Sequence, residues 1–407
     1  MLHGHLHSLG GHTYGETLGF IESFRRRGLG LSVFAARDAQ PEILAETGAR
    51  PVYGWTDADQ ARFPPAGALR EQDVVAGMLA DFLRDSAMVA RSCREMVDLA
   101  GSRPDIVLMP WASTHDFNGL AEWLADMAPG ERPRLVLNII RPEPSWRLDA
   151  ARIQASGDFT FFRFASHRLA ALAPPGGLVI TSVEPRMCKV ISALSGTDCA
   201  PAPMQKDYLD PAQLEALRPM AANTAPTVSV MGSVRWEKGG ELLADVMSQV
   251  CAARPDVQVS VQVSDERQRQ ALAEALGVGA PVKAAIQVGE LSREDYWRRL
   301  LASDLLLMPY IGPAYALMPS GPFAEAVFCG IPVVAPRDTW MGDRLAEGWG
   351  AGETFATSDG VSIAQATLAA LGRLQELKAR AAGQGEAWRR THGIDAYLDH
   401  VFRRLGL

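Results

Sequence analysis

Short apolar runs alternate along almost the whole chain with stretches in which apolar residues recur at helical spacing. The runs have the length and the β-branched content of buried strands. Such runs, separated by helices, are typical of parallel strands covered on both faces, so the pattern predicts an α/β fold with parallel sheets. The predicted strands cover residues 31–36, 105–110, 134–140, 177–182, 227–233, 257–263, 304–310 and 331–336.

The alternation pauses between the two halves of the chain and starts again at residue 227. Residues 201–226 are rich in Pro and Ala, which indicates a connection that contains one short helix near Pro211–Leu217. We therefore expect two Rossmann-like domains, over residues 1–200 and 227–387, that face each other across a cleft. Ligands of such sheets bind at the carboxyl ends of the strands, so we expect the functional site in this cleft.

Length, composition and charge narrow the classes of protein. The chain has 407 residues, a length that favours two or three domains, and 47% of the residues are hydrophobic. Its net charge of −7 argues against a broad nucleic-acid surface but permits a local basic site for phosphates. The sequence has no apolar run of about 18 residues, so we expect no spanning helix. Scattered cysteines and the lack of a secretory signal pattern favour a cytoplasmic protein with reduced thiols.

The first residues are rich in histidine and allow two interpretations. His3, His5 and His7 are either metal ligands or residues of a frayed first strand. A metal site needs further ligands and a carboxylate that orients them, which the sequence does not supply, so we expect no metal. The first strand itself is weak. Either it is short and interrupted by histidines, or the chain begins downstream of its natural start, and the second alternative is favoured.

A glycine turn follows these histidines and leads into a helix. Thr13 and Glu16 have the spacing of a capping box, which predicts Thr13 as the N-cap. The free backbone N–H groups of a helix N-terminus favour an anionic or hydroxyl-rich ligand. We therefore place Gly10, Gly11 and His12 in a ligand-binding loop.

The second half contains a basic turn between a predicted strand and a helix. Arg235 and Lys238 lie in this turn, and Gly239-Gly240 beside them suits the close approach of a ligand. Arg and Lys together suit a diphosphate, the first as a planar fork and the second as a point charge. The alternative is two exposed basic residues on a surface loop.

The most specific stretch of the sequence is 292–341. Ser320 or Gly321 can cap a short helix, and Pro322 fits its first turn. Glu325 lies in the first or second turn, where a carboxylate can bind a ribose diol while the helix N-terminus binds phosphate. The alternative for Glu325 is a surface residue that compensates the helix dipole.

These stretches resemble the GT-B fold glycosyltransferases, in particular the retaining, nucleotide-sugar-dependent family four. The resemblance rests on Gly10-Gly11, on the Gly-x-x-x-x-x-Lys-Gly segment over Gly232–Gly239, and on Ser320–Pro336. Residues 388–407 are similar to the helix that crosses back to the N-terminal domain in this fold. The resemblance implies transfer of a sugar from a nucleoside diphosphate sugar to an acceptor hydroxyl, with retention and without a metal or another cofactor.

The resemblance also implies roles for individual residues. The N-terminal domain would bind the acceptor through Gly10, Gly11 and His12. The C-terminal domain would bind the nucleotide sugar. The implied catalytic residues are His115, Arg235 and Lys238. The implied donor-binding residues are Gly232, Ser233, Arg235, Lys238, Tyr310, Ser320, Gly321, Pro322, Phe323 and Glu325.

Two departures from the family pattern leave alternatives open. The first glutamate of the paired-glutamate motif is replaced by Leu317, and the usual basic residue five before the lysine is Ser233. These departures motivate a catalytically silent GT-B protein that binds a sugar or a partner. A nucleotide-sugar epimerase would need a cluster of carboxylates and histidines that the sequence alone does not assemble. His115 is either the histidine near the reacting sugar or a loop histidine followed by Asp116 as a helix cap.

The expected partners follow from the same resemblance. They are a nucleotide sugar and a carbohydrate, lipid-linked or other hydroxyl acceptor, with no nucleic acid. Phe24–Arg27 allows a peripheral contact at the inner face of the membrane, but the same residues are also typical of a helix C-terminus.

Overall fold

The computed structural model describes two compact units. The described residues are 1–7, 12–54, 74–141, 146–149, 154–157, 159–219, 224–232, 234–277 and 284–407. Unit 1 comprises Met1–Gln205 together with Ile394–Leu407, and unit 2 comprises Lys206–Gly393. The chain therefore returns to unit 1 for its last helix.

Unit 1 is built on parallel strands and also contains an antiparallel hairpin. The strands are β1 (Leu2–His3), β2 (Phe34–Ala36), β3 (Arg50–Tyr53), β4 (Ile106–Met109), β5 (Arg134–Asn138), the hairpin β6 (Trp146–Asp149) and β7 (Gln154–Gly157), β8 (Leu178–Ser182) and β9 (Cys199–Pro201). Two parallel sheets have the orders β1-β2-β3 and β4-β5-β8-β9, and β1 lies beside β4. The combined order, β3-β2-β1-β4-β5-β8-β9, is that of a doubly wound sheet.

Helices cover both faces of this layer. They are α1 (His12–Arg26), α2 (Pro41–Thr47), α3 (Val74–Ala100), α4 (Thr114–Ala125), α5 (Thr160–Leu172), α6 (Pro185–Ser195) and, at the end of the chain, α16 (Ile394–Arg404). Successive residues of a strand point to opposite faces of the sheet. Val107 therefore lies in the hydrophobic core that α3 and α4 cover, and Leu108 lies in the core that α1 and α16 cover.

The last helix packs against the first. The rings of Phe24 and Phe402 meet edge to face at 6.0 Å, and Arg27 forms an ion pair with Asp399 at 2.7 Å. Arg26 is paired in the same way with Asp395, at 2.6 Å. The basic end of α1 thus has acidic partners on α16, which favours the interpretation of Phe24–Arg27 as a helix C-terminus.

Unit 2 contains a single parallel sheet. Its strands are β10 (Thr227–Val230), β11 (Gln258–Val263), β12 (Ala284–Val288), β13 (Leu305–Leu307), β14 (Val333–Pro336) and β15 (Gly352–Phe355). The order β12-β11-β10-β13-β14-β15 corresponds to 3-2-1-4-5-6, the order of sheets that bind dinucleotides. The helices are α7 (Pro211–Leu217), α8 (Leu243–Ala253), α9 (Glu266–Leu276), α10 (Arg293–Leu301), α11 (Gly312–Tyr315), α12 (Gly321–Cys329), α13 (Trp340–Ala346), α14 (Gly360–Gly372) and α15 (Leu374–Thr391).

Every predicted strand contains a strand of the structure, and the helix over Pro211–Leu217 is confirmed. The sequence missed β3, β9, β12 and β15, which are edge strands of the parallel sheets, and it also missed the two strands of the hairpin, β6 and β7. An edge strand is buried less completely and needs no continuous apolar run. β12 shows this, since none of its residues is fully buried. β1 is present as a short strand that contains His3.

The predicted start of α1 is two residues too late, since Thr13 as the N-cap would make Tyr14 the first helical residue. The helix begins at His12, so Thr13 lies inside it and its carbonyl accepts a hydrogen bond from the Thr17 hydroxyl. The Glu16 carboxylate accepts a hydrogen bond from the Trp111 indole at 3.1 Å, a tertiary partner that capping rules do not include. Gly10 and Gly11, like the side chain of His12, lie outside the described residues.

Two further findings bear on the composition. The five cysteines are buried and form no disulfide. None of the described helices has the length and apolar character needed to cross a membrane.

Candidate functional site

Each unit has one place where a doubly wound sheet ordinarily binds its ligand. This place is the carboxyl edge between the two strands at which the strand order reverses. In unit 2 these strands are β10 and β13, and in unit 1 they are β1 and β4. We call the two places the unit-2 switch point and the unit-1 switch point.

Gly232 follows β10 at the unit-2 switch point. Its φ of +82° lies in the region that favours glycine, and its N–H donates a hydrogen bond to Gln262 Oε1 at 3.0 Å. A Cβ atom on Gly232 would lie 3.3 Å from Lys238 Nζ and 3.9 Å from Pro322 Cγ. The glycine therefore lies where the basic turn and the start of α12 come together.

The basic turn is held on the end of β13. Trp236–Lys238 form one 3₁₀ turn, and Gly239 ends it with a φ of +75°. A Cβ on Gly239 would lie 1.9 Å from the carbonyl oxygen of Pro309, so no other residue fits there. The Ile311 N–H donates to the Glu237 carbonyl at 2.9 Å. These contacts fix the backbone that carries Lys238.

Lys238 is an ammonium group without an acidic partner. Within the described residues, no carboxylate lies within salt-bridge distance of Nζ, which lies 5.8 Å from the centroid of the Tyr310 ring. Burial and, to a smaller extent, the positive charge of Arg235 lower the pKa of Lys238 to about 8. A half-buried cation of this kind is stabilised by an anionic ligand.

Arg235 has a different environment. It precedes the 3₁₀ turn, its side chain is 61% exposed, and its Nε pairs with Glu237 Oε1 at 2.7 Å. The sequence predicted the two basic residues as one group, whereas the structure gives Arg235 an acidic neighbour that Lys238 lacks. Ser233 lies outside the described residues.

The N-terminus of α12 lies next to Lys238. Ser320 caps the helix, accepting a hydrogen bond from the Phe323 N–H at 3.4 Å, and Pro322 lies in the first turn. The ring of Phe323 packs edge to face on Trp340 at 5.4 Å, so this residue offers a ligand its backbone rather than its ring. The positive end of the helix dipole adds to the charge of Lys238.

Glu325 belongs to a buried network that the sequence did not predict. It is 8% exposed, so the alternative of a surface residue is wrong. One carboxylate oxygen pairs with Lys206 Nζ at 2.9 Å, and the other accepts a hydrogen bond from Tyr296 Oη at 2.5 Å. Burial and Glu325 raise the pKa of Tyr296, so its hydroxyl stays protonated as a donor.

Lys206 lies in the segment that the sequence assigned to the connection. It is 6% exposed, and a Cβ on Gly321 would lie 3.1 Å from its Nζ. A second ammonium group thus lies at the start of α12. The only sequence signal was a single lysine between Pro- and Ala-rich residues, which predicts an exposed side chain.

The unit-1 switch point brings hydroxyl groups and an imidazole together. His115 lies in the first turn of α4, with its Nε2 3.0 Å from Ser113 Oγ and 3.4 Å from Tyr53 Oη. Asp116 accepts hydrogen bonds from Tyr53 Oη at 2.7 Å and from Ser113 Oγ at 2.6 Å. It also accepts one from the Ser113 N–H at 2.8 Å, which completes a capping box. The N-cap of α4 is Ser113, so the alternative of a loop histidine followed by Asp116 as the cap is wrong. Asp116 is the third residue of the helix, where it completes the capping box and orders the groups around His115.

The first three histidines do not share one environment. His3 is buried, with 1% of its surface exposed, and neither ring nitrogen has a hydrogen-bond partner among the described residues. Burial lowers its pKa to about 3. His5 is exposed, and its ring lies 5.4 Å from that of Trp111. Among the described residues, no group of three His, Cys, Asp or Glu side chains has the geometry of a metal site.

Comparison with known proteins rests on structure alone. The chain matches no known protein-family profile and no curated protein sequence. A glycosyltransferase from Rickettsia africae superposes with a TM-score of 0.66 at 10% identity, covering 99% of this chain and 97% of that one. HepE from Anabaena, solved in complex with UDP, superposes with a TM-score of 0.64 at 14% identity, covering 100% of this chain and 98% of that one.

The chain has the GT-B fold. A candidate UDP-N-acetylglucosamine 2-epimerase from Listeria monocytogenes is similar to it over 98% of this chain and 94% of that one, with a TM-score of 0.56 at 14% identity. The predicted fold class is therefore confirmed. Leu317, which precedes α12 in the chain, is buried.

Proposed function

We propose that this protein transfers a sugar from a nucleoside diphosphate sugar to an acceptor hydroxyl. Unit 2 binds the donor in this proposal, and unit 1 binds the acceptor. The observation that carries it is the geometry of Lys238, a half-buried ammonium group between Gly232 and the start of α12. Among the residues that the structure describes, no carboxylate lies within salt-bridge distance of it. HepE, which shares the fold, was solved with UDP-glucose, and this supports a nucleotide sugar as the donor.

Unit 2 offers stabilisation for a leaving diphosphate. Negative charge develops on the diphosphate as the bond to the sugar breaks, and preorganised donors lower the energy of that state. Lys238, Arg235 and the backbone N–H of Gly321 supply these donors, because Pro322 has no N–H and the Phe323 N–H is donated to the Ser320 side chain. The Glu325 carboxylate is held by Lys206 and Tyr296 and retains acceptor capacity for a ribose diol.

The finer features of the proposal concern the reaction and the acceptor. The reaction retains the configuration of the sugar. The departing phosphate takes the proton of the acceptor hydroxyl, so no protein base is required. Cationic side chains, rather than a metal, neutralise the diphosphate. His115 and the loop Gly10–His12 contact the acceptor, which is a carbohydrate, lipid-linked or other alcohol. We place this activity in the cytoplasm or at the inner face of a membrane.

Isothermal titration with UDP, GDP and ADP tests the donor site. One nucleotide is expected to bind saturably to the wild-type protein. Lys238→Ala removes a charged hydrogen-bond donor worth about 1.5–3 kcal/mol, so the affinity should fall by a factor of roughly 10 to 150.

A matched control is Lys189→Ala, because Lys189 is an exposed lysine of unit 1. Its nucleotide affinity should equal that of the wild type. Binding that persists in Lys238→Ala would contradict the role of this lysine. Binding without any transfer to an acceptor would favour the catalytically silent alternative that Leu317 suggests.

The unit-1 switch point favours a second candidate, a nucleotide-sugar epimerase. Tyr53, His115 and Asp116 form the cluster of titratable groups that this chemistry needs and that the sequence did not assemble. Incubation with UDP-N-acetylglucosamine in D₂O distinguishes the two candidates. Inversion at a carbon that carries hydrogen exchanges this hydrogen with solvent, so deuterium in the recovered sugar supports an epimerase. Transfer to an added alcohol without exchange supports the transferase.

A further inference from the structure

The hydrogen bonds around Asp116 have a consequence for the histidine beside them. An ionised carboxylate has acceptor sites only. Asp116 Oδ1 therefore accepts a hydrogen bond from the Tyr53 hydroxyl at 2.7 Å, and Oδ2 accepts one from the Ser113 hydroxyl at 2.6 Å. Each hydroxyl has one proton, so neither can donate to a second neighbour.

Both hydroxyl oxygens consequently present lone pairs to His115. Nε2 lies 3.0 Å from Ser113 Oγ and 3.4 Å from Tyr53 Oη. Nδ1 lies near one of these oxygens only, Ser113 Oγ, at the longer distance of 3.3 Å. A neutral imidazole has one N–H donor and one bare acceptor nitrogen, and the donor is more stable where acceptors surround it.

We propose that Asp116, acting through Tyr53 and Ser113, holds the proton of neutral His115 on Nε2 and leaves Nδ1 as a hydrogen-bond acceptor for a ligand hydroxyl. Asp116, Tyr53 and Ser113 are positioning residues in this arrangement. His115 is the group that contacts the ligand.

The surroundings of Tyr53 support this orientation of protons. Burial and the negative charge of Asp116 raise the pKa of Tyr53, so the phenol keeps the proton that it donates. A Cβ on Gly4 would lie 2.4 Å from the Tyr53 ring, which shows that the ring lies directly on this glycine. The phenol oxygen is thereby held at Asp116 and His115.

The ligand that this site recognises is an alcohol. A bare imidazole nitrogen accepts a proton in a hydrogen bond and repels the lone pairs of a phosphate or carboxylate. This part of the inference rests on the proposed function, in which unit 1 binds the acceptor hydroxyl. The tautomer itself is a property of the free protein and needs no ligand.

The test is to measure which ring nitrogen of His115 carries the proton. The ¹⁵N chemical shifts of the imidazole rings report this directly, and the His115→Gln variant identifies the signals of His115 among those of the eight histidines. The wild-type protein is expected to show predominantly the Nε2–H form. Tyr53→Phe removes one hydrogen-bond acceptor near Nε2. The ratio of the Nε2–H to the Nδ1–H form should therefore fall by about fivefold, which corresponds to the loss of one hydrogen bond.

Asp116→Asn gives a larger expected change. The amide can donate, so the hydroxyl protons are free to turn towards His115, and the preference for Nε2–H is lost. Tyr397→Phe is the matched control, since Tyr397 is a buried tyrosine of unit 1 whose hydroxyl lies 3.3 Å from that of Thr181. It should leave the tautomer of His115 unchanged.

The possible results separate this inference from the proposed function. A proton on Nδ1 in the wild type, or a ratio that neither Tyr53→Phe nor Asp116→Asn alters, would overturn the inference even if nucleotides bind. An Nε2–H form that these two variants weaken supports it even if no nucleotide binds. If transfer is observed, Tyr53→Phe should raise the KM for the acceptor alcohol and leave the donor affinity unchanged.

Discussion

The two switch points occupy the same position in two sheets of the same winding, yet their chemistry differs. The unit-2 switch point carries ammonium groups, Lys238 and Lys206, at the start of a helix. The unit-1 switch point carries an imidazole and two hydroxyls ordered by one carboxylate. The sheet decides where a ligand can bind, and the loops that follow its strands decide which ligand that is.

The difference extends to how each site compensates its charges. In unit 2, Lys206 is paired with Glu325 inside the protein, while Lys238 has no carboxylate within salt-bridge distance among the described residues. In unit 1, Asp116 is satisfied by neutral donors. The first arrangement suits an anion, and the second suits an alcohol. The following predictions test this contrast, beginning with the largest expected effect.

Glu325→Ala is expected to destabilise unit 2 strongly. It leaves the Lys206 ammonium group buried without its carboxylate, and breaking a buried pair in this way costs about 3–5 kcal/mol. Urea unfolding of the full chain measures the cost. The double variant Lys206→Met, Glu325→Leu removes both charges, so its free energy of unfolding should fall much less than that of Glu325→Ala. A loss below about 1 kcal/mol for Glu325→Ala would show that water reaches Lys206.

Matched glycine substitutions compare the rigidity of the two switch points. Gly239→Ala places a Cβ 1.9 Å from a backbone oxygen at positive φ, with an expected cost of about 2–4 kcal/mol. Gly4→Ala places a Cβ 2.4 Å from the Tyr53 ring, a side chain that can move, so about 1–3 kcal/mol is expected. Thermal or urea unfolding measures the stability of both variants. If Gly239→Ala and Gly4→Ala lost the same free energy of unfolding, this would contradict the distinction between obstruction by backbone and obstruction by a side chain.

His3 should make unit 1 sensitive to acid. Its pKa is about 3 in the folded protein and about 6.5 when unfolded, so the unfolded chain binds the additional proton between these values. Stability is therefore full above pH 6.5 and decreases as the pH falls towards 3, by about 2 kcal/mol at pH 5. His3→Leu should remove this part of the pH dependence. Identical pH profiles of unfolding for both proteins would show that His3 becomes hydrated.

Nucleotide binding should weaken in alkaline solution. The pKa of Lys238 is lowered to about 8 by burial, so the free protein loses this charge as the pH rises through that value. The Kd of the nucleotide should rise about tenfold between pH 7 and pH 9. Lys238→Arg keeps its charge over this range and should bind without this dependence. A wild-type Kd that does not change with pH would place the phosphate away from Lys238.

Several features of the two sites were predictable from short stretches. Gly232 and Lys238 lie in the turn that follows a buried strand, and Pro322 lies in the first turn of α12, so their place at the carboxyl edge followed from the strand pattern. The network of Lys206, Tyr296 and Glu325 did not follow from it. Its partners come from three separate segments, and a lone lysine in a Pro- and Ala-rich segment has no local pattern that indicates burial.

The cluster around His115 was missed for a related reason. Tyr53 lies 63 residues before Asp116, on an edge strand that the sequence did not predict. With β3 unrecognised, the sequence offered no means of bringing its last residue to the start of α4. Only the presence of a helix start near Asp116 was visible, because capping is a local feature, although the cap itself is Ser113.

The sequence by itself determined the succession of strands and helices, the parallel sheets and the basic loop at the unit-2 switch point. These depend on burial of both sheet faces and on short turns, which neighbouring residues specify. Only the tertiary structure decided which titratable groups meet, which of them are buried, and where their protons lie. Such groups are brought together by strand order, and their charge and hydrogen bonding depend on neighbours from distant parts of the chain.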